Sequence, residues 1–250
     1  MSQWPERYSR QIILDEMGDK GQERLHNGKV LVVGAGGLGT PAMLYLASAG
    51  VDVIGVVDDD FVSQHNLNRQ VLHWTDDVNQ LKVQSVEAKL ARINPEVNVQ
   101  TFIQRLDDGT ARDLCQGFDI VLDCTDNLRT RLVINEACLD INIPFVHGGA
   151  IRFYGQVMTV LPDKGPCLRC FLPDDAEQCA GSCEREGIMG PVVGTIGVLQ
   201  ALEAIKYLTG VGELLVGRML CFDGLHGAFD EVPVQRNLGC PVCGGRKSKE

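Results

Sequence analysis

Apolar and polar positions alternate in two distinct rhythms along this chain. Ile12, Ile13, Met17, Gly21 and Leu25 recur at roughly helical spacing and predict a helix from Tyr8 to Leu25. Lys29–Val33 is then a short apolar run, the mark of a strand buried on both faces. Small and apolar residues predict a helix from Thr40 to Ala49. Val53–Val57 reads as the second strand, ending in Asp58, Asp59 and Asp60. A helix from about Lys82 to Arg92 stops at Asn94-Pro95. Strands are expected at Val97–Ile103, Asp119–Asp123 and Pro144–His147, with a helix from about Leu128 to Asp140 before the last. This alternation implies an α/β fold, a Rossmann-like doubly wound parallel sheet. After Ala150 the rhythm changes: Gly155–Val160 and Gly217–Phe222 read as strands without helices between them. The sheet is therefore expected to continue in mixed or antiparallel strands within one domain, 1–250. Its parts are an N-terminal helical arm (1–28), a nucleotide-binding half (29–150) and a second half (151–250).

Composition narrows the class. The chain has 250 residues, is 44% hydrophobic and carries a net charge of −10. That balance argues against a nucleic-acid partner, because phosphate neutralisation needs a basic face. The polar stretch Met1–Arg10 holds no apolar signal core, so a cytoplasmic protein is expected. The longest apolar stretch, Gly190–Leu208, is interrupted by Gln200, Glu203 and Lys206. It reads as a buried or interface helix and not as a membrane span.

Gly34-Ala35-Gly36-Gly37-Leu38-Gly39 follows the first strand and opens a helix, the context a nucleotide loop requires. Gly34 allows the tight turn, Gly36 lets backbone approach phosphate, and Gly39 lets helix and strand pack closely. Asp58, ending the second strand, is placed for ribose hydroxyls. Alone, this motif fits NAD as well as ATP. Arg69, in Asn66-Leu67-Asn68-Arg69-Gln70, and Lys82 tilt the choice: two cations suit a triphosphate better than a dinucleotide. Asp126, in Asp123-Cys124-Thr125-Asp126-Asn127, lies just beyond a strand's carboxyl end and suits Mg²⁺ against phosphate oxygens. The plainer readings are solvated surface charges for Arg69 and Lys82, and a helix N-cap for Asp123 or Asp126. His65 and His73 flank the Asn-Arg segment and are the only histidines expected near the site; both are taken as structural.

Ten cysteines without an export signal read as thiols and metal ligands. Cys167-Leu168-Arg169-Cys170 and Cys240-Pro241-Val242-Cys243 each offer two thiolates at zinc-knuckle spacing, together a closed four-sulfur site that staples. Chance pairing and a redox pair are the rivals. Cys115, Cys124, Cys138 and Cys221 fall in apolar patterns and are expected in the core.

Taken in order, Arg7-Tyr8-Ser9-Arg10-Gln11-Ile12-Ile13, the glycine loop, Asn66–Gln70, Asp123–Asn127 and the two cysteine pairs resemble the ThiF/MoeB/HesA family, relatives of the ubiquitin-activating enzymes. The resemblance covers nearly the whole chain. It implies ATP- and Mg²⁺-dependent adenylation of the C-terminal Gly-Gly carboxylate of a small ubiquitin-like sulfur-carrier protein, with pyrophosphate released. On matching positions it implies Gly34, Gly36, Gly37, Gly39, Asp58 and Asn127 at the nucleotide, Asn66, Arg69 and Lys82 at the phosphates, and Asp126 at Mg²⁺. It also implies zinc on Cys167, Cys170, Cys240 and Cys243. Arg10 looks like the family arginine that enters the partner subunit's site, so a homodimer is expected. Cys183 matches a cysteine proposed in some members as a nucleophile, with Cys179 four residues earlier. The implied pathway is thiamine or molybdopterin biosynthesis, with sulfur from a separate donor protein. Two other readings are kept beside it: a zinc-stapled NAD-binding oxidoreductase, and a non-catalytic scaffold that binds the carrier.

Overall fold

The structure, a computed structural model, describes Trp4 and residues 6–162, 164–172 and 186–245. Eight strands form one sheet in the order β3-β2-β1-β4-β5-β6-β7-β8. They are β1 (Lys29–Val33), β2 (Val53–Val57), β3 (Asn98–Phe102), β4 (Ile120–Asp123), β5 (Phe145–Ile151), β6 (Tyr154–Val160), β7 (Arg218–Asp223) and β8 (Ala228–Pro233). The first five pair in parallel and the last four are joined by antiparallel pairs. Both halves of the expected sheet are thus present.

Strand alternation divides the core in two. Val30, Val32, Ile54, Val56, Ile120 and Leu122 face one side, with α3 (Gly39–Ala49), α4 (Lys82–Ile93) and α7 (Gly190–Thr209) over them. Leu31, Val33, Val53, Val57 and Val121 face the other, under α5 (Ala111–Cys115), α6 (Leu128–Asp140) and the cysteine cluster. A parallel sheet covered on both faces buries every residue of β2 and β4.

The expected N-terminal helix is broken. Glu6–Tyr8 is a 3₁₀ turn, α1 is only Ser9–Ile12, and α2 (Gly18–Leu25) begins at Gly18, whose positive φ of 54° breaks the helical run. Helix α7 is long and apolar enough to cross a membrane, yet half of it is buried within the fold. Two of its polar interruptions, Gln200 and Glu203, face inward. Gln200 donates to the Asp123 and Val146 carbonyls at 2.7 and 3.1 Å, and Glu203 accepts from Leu215 N–H and the Thr159 hydroxyl. Gln200 and Glu203 are therefore both partnered, and α7 is a core helix tied to the sheet. Cys115, Cys124 and Cys138 are buried as expected, whereas Cys221 is half-buried.

Candidate functional site

The strand order reverses between β1 and β4, and the carboxyl ends of those strands open the crevice where α/β sheets bind ligands. The glycine loop sits there. Gly34 has φ 102°, and a side-chain carbon on it would lie 2.6 Å from the Cys124 carbonyl. A side chain at Gly39 would overlap the Gly34 carbonyl, so only glycine lets α3 begin so close to β1.

The loop is pinned from within. Gly34 N–H donates to the Val57 carbonyl at 2.8 Å, and Ala35 N–H donates to Asp58 Oδ2 at 2.8 Å. The Gly36 carbonyl accepts from Thr40 N–H and from its hydroxyl at 3.0 and 2.8 Å. The Ala35 carbonyl lies 2.9 Å from His73 Nε2. Among the described residues the N–H groups of Gly36 and Gly37 have no partner, which leaves them available to an anion.

Asp58 Oδ1 also accepts from Asp60 N–H at 2.9 Å, and Lys82 Nζ lies 3.9 Å from Asp58 and 2.7 Å from Asp60. Burial pushes the Asp58 carboxyl above its ordinary value, against the pull of Lys82. Lys82 is buried, so it is not a solvated surface charge. Arg69 is half-buried and donates to the His65 carbonyl and Asn68 Oδ1 at 2.9 and 3.0 Å. Asn66 is buried, its Oδ1 taken by Ser63 N–H at 3.0 Å.

Across the crevice, Asn127 is the N-cap of α6, accepting from Thr130 N–H at 2.9 Å, so the cap falls on neither aspartate. Asp126 is exposed and its carboxylate has no partner among the described residues. Asp123 is fully buried. Its carboxylate takes the Thr125 hydroxyl at 2.7 Å, Thr125 N–H at 3.2 Å and His147 Nδ1 at 2.8 Å. Arg131 Nη2 in turn holds the Thr125 carbonyl at 2.7 Å. Thr125 is thus gripped at three atoms, and the position of Asp126 follows from it. This corrects the expectation that His65 and His73 are the only histidines here: His147 is joined to the same loop. A polar residue closing the apolar run Pro144-Phe145-Val146 is the signal that marks it; Arg131 carries none beyond its place in α6.

On the α6 face of the sheet the two cysteine pairs meet. Cys167 and Cys240 sulfurs are 3.7 Å apart, Cys170 and Cys243 3.3 Å, Cys167 and Cys170 4.0 Å, and all four lie within 4.8 Å of one another. Zn–S bonds of about 2.3 Å in a tetrahedron set edges of about 3.8 Å, so the cluster fits zinc. Burial and the neighbouring sulfurs push Cys167 far up and Cys243 up to about 11. Burial also acts to raise Cys240, but the N–H groups of Cys243 and Val242 outweigh it and hold that thiol low. Thiolate charges packed this close repel one another unless a cation lies among them.

The ThiF family profile matches residues 8–242. This chain belongs to the ThiF family. It is 45% identical over 240 residues to the SAMP-activating enzyme E1 of Haloferax volcanii, covering 96% of this chain and 88% of that protein. It is also 45% identical over 241 residues to the sulfur carrier protein ThiS adenylyltransferase of Escherichia coli, covering 96% of this chain and 95% of that one. Among solved structures, E. coli MccB superimposes with a TM-score of 0.88 at 23% identity, covering 100% of this chain and 75% of that chain, a likeness of fold.

One expected site residue of this ThiF-family chain stands apart from the crevice. Arg10 is exposed on α1, and its side chain has no partner among the described residues. Gln11 beside it donates to the Ala49 carbonyl at 2.8 Å, at the far end of α3 from the glycine loop. Eleven residues at about 1.5 Å each separate those ends by about 16 Å, beyond the reach of one side chain. Within one chain Arg10 therefore does not enter its own site. Cys183, like Cys179, lies outside the described residues.

Proposed function

We propose that this chain is an ATP-dependent adenylyltransferase that activates the C-terminal Gly-Gly carboxylate of a ubiquitin-like sulfur-carrier protein. The observation that carries the reading is the glycine loop at the β1–β4 switch point: the Gly36 and Gly37 N–H groups have no partner among the described residues, a side-chain carbon on Gly37 would lie 3.5 Å from Arg69 Cγ, and the buried Lys82 pairs with the Asp58 that holds the loop. The names of the bacterial and archaeal relatives, an adenylyltransferase of a sulfur carrier and an E1 for SAMP, support the same class of reaction.

The attacking group is a carboxylate, already ionised at pH 7, so no general base is required. The protein's task is to align it with the α-phosphorus and to stabilise charge gathering on pyrophosphate as it leaves. The Gly36 and Gly37 N–H groups hold phosphate oxygens. Arg69 and Lys82 offset the departing charge, with Asn66 orienting their loop and Asp58 accepting from ribose. Asp126, unpartnered and beside the crevice, is the residue that would hold Mg²⁺, which neutralises phosphate charge when bound. Arg10 belongs to the site of a second copy, so the active form is a homodimer. Zinc on the four cysteines staples the second half of the chain. Cys183 serves sulfur transfer after adenylation, with the sulfur brought by a separate donor protein. The carrier is of the thiamine or molybdopterin type.

Intact mass of a Gly-Gly-ended carrier incubated with enzyme, ATP and Mg²⁺ tests the reading. A gain of one adenylyl group, absent when the terminal glycine is removed, supports it. An unmodified carrier across a panel of such proteins, with ATP bound to the enzyme, rejects it in favour of a scaffold.

A further inference from the structure

One buried chain of polar groups runs from α4 to the nucleotide loop and takes no direct part in the reaction described. Lys89 Nζ pairs with Asp77 and donates to Ser85 Oγ at 3.2 Å. Ser85 Oγ lies 2.8 Å from His73 Nδ1, and His73 Nε2 lies 2.9 Å from the Ala35 carbonyl. Lys89, Ser85, His73 and Ala35 are all buried. A carbonyl only accepts, so Nε2 must carry the hydrogen. In the neutral ring Nδ1 then accepts from the Ser85 hydroxyl, whose oxygen is free to take the lysine hydrogen. Every donor in the chain points toward the loop. Burial first, and then the charges of Lys82 and Lys89, hold His73 below its ordinary value, against the Ala35 contact and Asp77. The neutral ring is the form the site favours.

The consequence lies in one peptide plane. The Ala35 carbonyl and the Gly36 N–H belong to the same trans peptide and point in opposite directions. A carbonyl held down by His73 turns that N–H outward, into the crevice. The preceding plane is fixed as well, by Ala35 N–H on Asp58. His73 and Asp58 thus clamp the loop on its inner side, and Gly36 presents the N–H that remains.

We propose that His73 is a positioning residue for the nucleotide: by holding the Ala35 carbonyl it aims the Gly36 N–H at a bound phosphate. The ligand named here rests on the ATP reading above; the clamp itself does not. His73 reaches the reaction through backbone and touches no reacting atom.

Three substitutions and two kinds of readout test this. His73→Leu removes the donor at similar volume, His73→Gln keeps a donor where Nε2 stood, and Ser85→Ala removes the hydroxyl behind Nδ1. Losing a hydrogen bond that orients a phosphate donor weakens binding about tenfold. His73→Leu is therefore expected to raise the ATP dissociation constant by about that factor, with the carrier KM unchanged, and His73→Gln to recover most of it. In the free protein, amide hydrogen exchange across Gly34–Leu38 should rise in His73→Leu, rise less in Ser85→Ala, and stay near wild type in His73→Gln. Unchanged exchange in folded His73→Leu overturns the clamp, whatever the protein does with ATP. Unchanged ATP affinity alongside raised exchange overturns the positioning role. A wild type that binds ATP in a His73-dependent way but adenylates no carrier defeats the proposed function and leaves this inference standing. Should His73→Leu fail to fold, the ring nitrogen spectrum of the wild type decides: hydrogen on Nε2 is expected, and hydrogen on Nδ1 alone contradicts the proposal.

Discussion

His147 gives its Nδ1–H to Asp123 Oδ2 at 2.8 Å, joining β4 to β5 at the very residues that are register partners in the sheet. Burial pushes Asp123 upward, but the His147 hydrogen bond and the Arg131 charge outweigh it and hold the carboxyl below its ordinary value. Burial holds His147 low as well, against the pull of Asp123. The pair is therefore carboxylate and neutral imidazole at pH 7, and it underlies the loop that carries Asp126.

Removing Asp123 leaves the Thr125 and His147 donors and the Arg131 charge unanswered, whereas removing His147 takes one of the hydrogen bonds from the buried carboxylate. Asp123→Ala is expected to cost about 3–5 kcal/mol, and His147→Ser about 1–3 kcal/mol. Denaturant midpoints of the folded variants measure both. An Asp123→Ala midpoint equal to wild type contradicts the pairing.

Two buried histidines give stability a pH dependence whose sign follows from their shifts. His73 and His147 both lie below the ordinary 6.5 when folded, so on acidification the unfolded chain takes up their protons first. Their contribution is whole above about pH 6.5 and declines as pH falls toward the depressed folded values. Urea midpoints should hold steady between about pH 7 and 8 and drop by pH 5.5, with a shallower drop in His147→Ser. A midpoint flat over the whole interval counts against both assignments.

The cysteine cluster joins segments 73 residues apart, so its loss should be felt globally. Purified protein is expected to hold one zinc per chain, with an absorption-edge spectrum fitting four sulfurs at about 2.3 Å. Cys240→Ser should lose the metal and lower Tm. Retention of zinc at full occupancy in that variant sinks the four-sulfur site.

Much of this was legible because strand burial leaves a strong mark. Lys29–Val33 and Val53–Val57 are apolar runs, and both are strands over those same residues. Leu128–Asp140 is a helix over its expected span, since Asn127 caps it and αL Asn142 follows its end. The strand β8, Ala228–Pro233, was not read, because every residue of it is exposed and no apolar alternation marks it. The N-terminal arm kept a helical rhythm across a break that only Gly18 discloses. In the candidate site, Lys82 and Asp126 were singled out from their places at a helix start and beyond a strand end, whereas Arg131 and His147 act through contacts that local pattern does not encode. Gln200 shows the same limit: the sequence marks it only as an interruption of an apolar helix, and it fastens that helix to β4 and β5.

Arg10 and Asp126 are expected to lie in one site contributed by two chains. Arg10→Ala and Asp126→Ala should each lose adenylation by a hundredfold or more, roughly the cost of a preorganised charge at the transition state. Mixing them after subunit exchange should restore up to about a quarter of wild-type activity, the statistical share of intact sites. Silence after verified exchange argues for sites built from single chains.

The most direct test of adenylation is ATP–pyrophosphate exchange with purified protein, Mg²⁺ and each of several Gly-Gly-ended carriers, paired with its form lacking the last glycine. Exchange is expected with at least one carrier, abolished by removal of that glycine and by Arg69→Ala in a folded variant. Exchange that persists without the terminal glycine, or none with any carrier while ATP is bound, contradicts it.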